Sequence, residues 1–104
     1  MIYITRRETF AAAHRLFKDG LSDEENLKLF GKCSSPNWHG HNYTLEVVVA
    51  GEVNPATGFV LDLKELKEII RENVISKVDH KNLNIDTDFM KGLNPTSENI
   101  VIAI

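Results

Sequence analysis

Two stretches of the chain alternate apolar and polar residues with a period of two, which is typical of β-strands with one buried face. The first covers residues 2–14 and ends in His14. Its even positions are apolar except at two charged residues, Arg6 and Glu8. The second covers residues 41–50, and its odd positions are apolar from residue 43 onward. These odd positions are Tyr43, Leu45, Val47 and Val49. The sequence therefore predicts two strands.

Helix signals follow each predicted strand. Ser22 and Glu25 have the spacing of a capping box, and Gly31 is suited to end the short helix that they begin. Asp62 is a second capping residue and precedes an amphipathic run. The apolar residues of that run recur at helical spacing: Leu63, Leu66, Ile69, Ile70 and Val74. We therefore expect a core-facing helix after Asp62.

The remaining segments predict a turn, a short strand and a last helix. Asn, Pro and Gly residues within 51–58 indicate a turn. The apolar residues 59–61 then predict a short return strand. Near the end of the chain, Thr96 or Ser97 is expected to cap a helix that runs into the apolar residues 100–104.

Composition narrows the class of protein. A chain of 104 residues predicts one domain, spanning 1–104. The net charge of −3 and the lack of a basic block indicate no nucleic-acid partner and no anionic membrane. One cysteine cannot form an internal disulfide, which fits a reducing compartment. No segment reaches the roughly 18 apolar residues of a membrane span, and the first residues do not resemble a signal peptide. We expect a cytoplasmic protein.

Histidine and cysteine residues suggest a zinc site. His39 and His41 are two positions apart, so they share a face if the second strand extends back to residue 39. His14 ends the other strand, and Cys33 has five residues between it and His39. Zinc prefers nitrogen and sulfur ligands, and a catalytic zinc keeps one position open. A His-x-His pair alone is weak evidence, but a third histidine and a thiol strengthen it.

Asp79 and His80 are a further candidate pair. A carboxylate can fix the tautomer of an imidazole and raise its basicity. Adjacent residues of a strand point to opposite faces, however. The two side chains are therefore expected to pair only if the backbone turns between them.

These motifs, in this order, resemble the 6-pyruvoyl-tetrahydropterin synthase family. The resemblance covers nearly the whole chain. Its segments are 13–16 (AHRL), 21–33 (LSDEENLKLFGKC), 36–43 (PNWHGHNY), 51–58 (GEVNPATG), 79–83 (DHKNL) and 96–99 (TSEN).

The resemblance implies an α+β tunnelling fold, a ββααββ unit with an antiparallel sheet packed on helices. It also implies that three subunits join their sheets into a barrel and that two such trimers stack into a hexamer. In the family, two more strands follow the second helix. This sequence ends within that helix, so we expect the domain to be incomplete at its C-terminus and to lack the last two strands.

The resemblance further implies a function and a site. Family members convert 7,8-dihydroneopterin triphosphate into 6-pyruvoyl-tetrahydropterin and triphosphate, a zinc-dependent step toward tetrahydrobiopterin. A thiol, activated by an Asp–His pair of a neighbouring subunit, serves the reaction, and a carboxylate anchors the pterin ring. The matching positions are His14, His39 and His41 for zinc, Cys33 for the thiol, Asp79 and His80 for the pair, and Glu98 for the carboxylate.

Three alternatives remain open. The related 6-carboxy-tetrahydropterin synthase of queuosine biosynthesis uses the same substrate and zinc, but its Cys-to-His spacing is typically shorter by two residues. The five intervening residues here favour the pyruvoyl enzyme. A second alternative is a non-catalytic form that pairs with intact subunits. A third is a generic zinc hydrolase, for which Cys33 would be dispensable.

Overall fold

The computed structural model describes residues 1–104 and contains a three-stranded sheet. Strands β1 (Ile2–His14) and β2 (His39–Gly51) pair antiparallel along their full length, from Ile2 opposite Gly51 to His14 opposite His39. Both long strands are therefore confirmed, and neither charged residue interrupts β1. The short strand β3 (Lys81–Asn82), which was not predicted, pairs parallel to β1 on its other edge.

The helices lie where the capping signals indicated. Helix α1 (Asp23–Phe30) is followed directly by a 3₁₀ turn (Gly31–Ser34). Helix α2 (Leu63–Ile70) continues through a π-helical segment (Arg71–Ile75) into the short helix α3 (Ser76–Val78). Helix α4 (Ser97–Ala103) lies near the end of the chain. Ser22 and Glu25 form the predicted capping box. Asp62 caps α2, and Thr96 rather than Ser97 caps α4. Each cap accepts a backbone N–H that the helix itself leaves without a partner.

The predicted return strand at residues 59–61 is wrong. That segment has no strand partner. A turn closes the loop instead, through a 3.0 Å bond from Asn54 N–H to the Phe59 carbonyl. The Val60 side chain packs directly against Gly51, with its Cγ1 2.8 Å from the position a Gly51 Cβ would take. Local turn bonds and the packing of Val60 thus replace strand pairing.

The hydrophobic core lies on one face of the sheet, toward the end of β1 nearest His14. Its fully buried members are Phe10, Ala12, Val78, Leu83, Met90 and Ile100. Helix α2 buries Leu66 and Ile70. Leu63 in its first turn and Ile69 on its flank are about half exposed, so only part of the predicted apolar stripe faces the core. The core thus packs beside the histidine end of the strand pair.

The two 13-residue strands make the molecule elongated, with extents of 60 × 23 × 20 Å. β2 is an edge strand, because the sheet order is β2-β1-β3. Its outer edge therefore presents backbone N–H and C=O groups that pair with nothing in the chain. None of the helices has the length and apolar character needed to cross a membrane.

Candidate metal centre and adjoining cavity

The strand register brings three imidazoles together. His14 lies directly opposite His39, and His41 lies opposite Ala12, so all three histidines project from one face of the sheet. Their ring centroids are 4.6–4.9 Å apart, and the rings meet edge to face. Gly40, between two of them, points to the other face and therefore does not separate the rings.

The 3₁₀ turn Gly31–Ser34 delivers Cys33 to the same place. The turn is tied to the residues just after β1 by two hydrogen bonds. Leu16 N–H donates to the Cys33 carbonyl, and Arg15 Nε donates to the Ser34 carbonyl, each at 2.8 Å. As a result, the Cys33 Sγ and the ligand nitrogens of the three histidines lie within 4.8 Å of one another. This group can hold one metal ion.

Unpartnered ring nitrogens support the fit of a metal. His14 Nδ1 lies 2.9 Å from the Pro95 carbonyl oxygen, which only accepts, so Nδ1 carries the proton and Nε2 keeps a free lone pair. This Nε2 is buried and has no hydrogen-bond partner in the chain, and the same is true of both ring nitrogens of His39. Buried polar atoms without partners are costly, and a metal ion would satisfy His14 Nε2 and one of the two nitrogens of His39.

Burial favours the neutral form of two of the imidazoles, His14 and His39. It lowers the pKa of His14 below 6.5, and the neighbouring His39 and His41 lower it further, while the bond to Pro95 acts in the opposite direction. Burial, helped by His41, also lowers the pKa of His39. Since zinc binds the neutral ring, both shifts favour a ligand-ready site near neutral pH.

A cavity of about 450 Å³ opens beside this group. His14, Cys33 and His41 line it. The first turn of α4, with Glu98, also lines it. The cap of α4 by Thr96 holds that turn in position. The structure therefore brings Glu98 to the same cavity as the candidate metal ligands, although 57 residues separate it from His41.

Asp79 and His80 do pair with each other, because the backbone turns there. His80 has a φ of +59°, and its Nδ1 lies 2.9 Å from Asp79 Oδ2. Asp79 Oδ1 accepts the Ala11 N–H at 2.9 Å. That bond and the His80 contact lower the pKa of Asp79. The expectation that adjacent residues would diverge applies to extended backbone and not to this turn.

This pair does not reach the Cys33 cavity within one chain. The His80 side chain is 83% exposed. It lines another cavity, of about 610 Å³, which includes Ala11, Ala13 and Gly40 of the opposite face of the sheet. The two cavities share His41 and Asn42, but neither contains both Cys33 and His80. Within one chain, the Asp–His pair and the thiol therefore lie in different cavities.

Two residues of the site were missed in the sequence analysis. Pro95 acts through its backbone carbonyl, which no side-chain pattern reveals. Tyr43 lines the cavity and its hydroxyl lies 3.4 Å from His14 Nδ1. It could have been found, because it has the same strand parity as His39 and His41 and follows them by two positions.

The fold and site define a class of protein: an α+β protein whose paired strands carry a histidine–cysteine group suited to a metal, next to a cavity. Comparison with known proteins identifies the family within this class. The family model described as "6-pyruvoyl tetrahydropterin synthase" matches residues 3–104. The chain belongs to the 6-pyruvoyl tetrahydropterin synthase family, and its architecture is the predicted tunnelling fold.

Individual relatives agree with this. The 6-pyruvoyl tetrahydrobiopterin synthase of Homo sapiens is 50% identical over 101 residues, which are 97% of this chain and 70% of that protein. The Dictyostelium discoideum protein of the same name is 50% identical over 103 residues, 99% of this chain and 75% of that one. The solved structure of Caenorhabditis elegans 6-pyruvoyl tetrahydropterin synthase superposes with a TM-score of 0.88 at 46% identity, covering 97% of this chain and 71% of that one.

Proposed function

We propose that this protein is a zinc-dependent 6-pyruvoyl-tetrahydropterin synthase, a lyase that converts 7,8-dihydroneopterin triphosphate into 6-pyruvoyl-tetrahydropterin and triphosphate. The observation that carries the proposal is the convergence of His14, Cys33, His39 and His41 within 4.8 Å, beside a cavity that also contains Glu98. Family membership supports the same activity. In this proposal the protein acts in the cytoplasm as a homo-oligomer.

His14, His39 and His41 are the proposed zinc ligands. Three imidazoles leave a fourth position open for a ligand oxygen. Bound zinc would act as a Lewis acid on the hydroxyl oxygens of the substrate side chain and so acidify the neighbouring C–H bonds. His14 is oriented for this role because its other ring nitrogen donates to the Pro95 carbonyl.

Cys33 is the proposed base. Its thiolate, lying among the ligand nitrogens, is placed to accept a proton from a C–H bond of a substrate whose side chain lies in the cavity. A thiol must first lose its own proton, and a nearby imidazolium favours the thiolate. His80, paired with Asp79, is the proposed source of that charge. Since it does not line the Cys33 cavity of its own chain, it would act on Cys33 of a neighbouring subunit.

Glu98 is the proposed anchor of the pterin ring. A carboxylate accepts hydrogen bonds from the N–H groups at the amino-pyrimidinone edge of a pterin. Its place in the first turn of α4, which lines the same cavity as Cys33, would hold the ring while the side chain of the substrate extends toward the imidazoles.

The test is a turnover assay on the purified, zinc-loaded protein with 7,8-dihydroneopterin triphosphate. We expect triphosphate release and 6-pyruvoyl-tetrahydropterin by mass spectrometry, both lost after zinc removal. Cys33→Ala is expected to lower the rate by at least about 100-fold. A product with a carboxylate at position 6 would instead identify the queuosine enzyme. Zinc-loaded protein that turns nothing over would contradict the synthase proposal and favour a non-catalytic form.

A further inference from the structure

Tyr43 is rigidly held at the metal end of the cavity. It follows His41 by two positions on β2 and projects from the same face. Its ring stacks on Phe10, with centroids 4.9 Å apart and an interplanar angle of 12°. The hydroxyl lies 3.4 Å from His14 Nδ1, and the residue lines the cavity together with Cys33. The stacked ring therefore fixes where the hydroxyl lies.

The proton of this hydroxyl has no acceptor in the chain. The only hydrogen-bond partner near the Tyr43 oxygen is His14 Nδ1. That nitrogen already carries a proton, which it donates to the Pro95 carbonyl at 2.9 Å. The tyrosine oxygen can therefore only accept there, and its own O–H is free to donate. A phenol keeps its proton at neutral pH, so the donor is present. The half-buried Tyr43 lines the cavity, so a ligand bound there can accept this hydrogen bond.

We propose that Tyr43 donates a hydrogen bond to an oxygen on the side chain of a bound pterin. The inference rests on the proposed function and adds a contact to it. Position decides which part of the ligand is involved. Glu98 is the proposed partner of the ring, whereas Tyr43 follows His41 on β2 and contacts His14. Its hydroxyl touches the His14 nitrogen that also faces Pro95, so Tyr43 lies beside the proposed metal ligands that the ligand's side chain would reach. Tyr43 would thus select pterins with an oxygen-bearing side chain.

The test compares two variants and two ligands by fluorescence titration of the zinc-loaded protein. Tyr43→Phe keeps the ring that stacks on Phe10 and removes only the hydroxyl. Tyr3→Phe is the matched control, because Tyr3 is the other tyrosine and is 67% exposed. The ligands are 7,8-dihydroneopterin, which has side-chain hydroxyls, and 6-methyl-7,8-dihydropterin, which has none. Zinc content and thermal melting are measured for each variant.

We expect Tyr43→Phe to weaken 7,8-dihydroneopterin binding roughly two- to tenfold, the value of one neutral hydrogen bond. Binding of 6-methyl-7,8-dihydropterin, zinc content and melting should stay unchanged, and Tyr3→Phe should change nothing. The inference is overturned, and the proposed function is not, if Tyr43→Phe weakens the binding of both ligands equally or of neither. The same holds if Tyr43→Phe loses zinc or does not fold. If the unchanged protein binds neither pterin, the proposed function fails and the inference fails with it.

Discussion

His14 links the imidazole cluster to the loop that begins α4. One ring nitrogen faces the cluster without a partner in the chain, and the other donates to the carbonyl of the fully buried Pro95. The residue after Pro95 is Thr96, the cap of the helix that carries Glu98. Ligand orientation at the metal end and the position of the proposed ring anchor therefore depend on the same short loop.

A comparison of the zinc affinities of His39→Ala and Cys33→Ala distinguishes the proposed metal ligand, His39, from the proposed base, Cys33. We expect His39→Ala to lower zinc affinity on the order of 100-fold or more, because a ligand is lost. Cys33→Ala should keep its zinc affinity within about tenfold, since the three imidazoles remain. Competition with a chromophoric chelator measures both. An equal loss in the two variants would make Cys33 a fourth ligand and contradict its role as the base.

Two glycines at opposite ends of β2 should respond differently to alanine. A Cβ at Gly40 would lie 3.7 Å from the Ala12 carbonyl oxygen, an ordinary contact, so Gly40→Ala is expected to be neutral in stability and zinc content. A Cβ at Gly51 would lie 2.8 Å from Val60 Cγ1, so one of the two must move.

For Gly51→Ala we expect a loss of about 1–2 kcal/mol in the free energy of unfolding, as is usual for overpacking. Urea denaturation measures it, and the double variant with Val60→Ala, which removes the clashing methyl group, should be less destabilised by the glycine change. If Gly51→Ala alone costs nothing, the loop 52–62 does not pack on β2 as described.

At the scale of elements, a cluster of charges ties β1 to the π-helical segment after α2. The Glu8 side chain is only 10% exposed, and its Oε1 lies 2.8 Å from Arg6 Nη2 and 3.5 Å from Arg71 Nε. The hydrogen bond from Arg6 is the main reason that the pKa of Glu8 is below 4.5. Glu8 interrupts the apolar pattern of β1, and its pairing explains why the strand continues through it.

Low pH should weaken the contribution of the Glu8–arginine pairs to the stability of the fold. Because the folded chain holds the pKa of Glu8 below its ordinary value, the unfolded chain binds more protons as the pH falls. The stability that the pair contributes is therefore present above pH 4.5 and is lost as the pH falls through the folded value. Glu8→Gln should cost about 1 kcal/mol at neutral pH, since both arginines are partly exposed, and should flatten the acid limb of the stability profile.

Glu46→Gln is the control for this prediction. Glu46 pairs with Arg7 at 2.8 Å on the surface, with the two side chains 51% and 70% exposed. An exposed pair contributes little, so we expect a change within about 0.5 kcal/mol. Equal effects of the two substitutions would show that burial of Glu8 adds nothing to its pairing.

At the scale of the whole molecule, two features lack a partner within the chain. The outer edge of β2 has no partner, and the Cys33 cavity does not contain His80. An oligomer that joins strand edges and places His80 beside the neighbour's Cys33 would account for both. This arrangement is part of the proposed function.

Mixing two inactive variants tests such a shared site. Cys33→Ala and His80→Ala should each be inactive alone, because each removes one of the two groups from every site. If the protomers reassort freely, about a quarter of the sites in an equal mixture combine an intact Cys33 with an intact His80, so activity should return to about that fraction. Native mass spectrometry of the mixture confirms exchange.

The outcome of that mixture is decisive. Exchanged hetero-oligomers without recovered activity would place both groups of each site in one chain. A control mixture of Cys33→Ala with His39→Ala should stay inactive if Cys33 and His39 act within one subunit, since no site then has both groups intact. Recovery in the control would contradict the single-chain imidazole and thiol cluster.

The two long strands, the starts of three helices and the placing of His39 beside His41 follow from the sequence alone. Alternation determined both long strands, because a buried face requires a period of two, and it placed His39 and His41 side by side. Capping residues determined where α1, α2 and α4 begin, because a cap bonds within three residues of itself. The motifs were also sufficient to indicate the family.

Only the tertiary structure decided what depends on contacts between distant segments. The register that sets His14 against His39, the short strand β3 and the loop at residues 59–61 all depend on packing that no local pattern encodes. The bond from His14 to Pro95 joins positions 81 residues apart and uses a backbone carbonyl, which has no residue signature. Side-chain periodicity indicates which face of a segment is buried, whereas the pairing between segments depends on the whole fold.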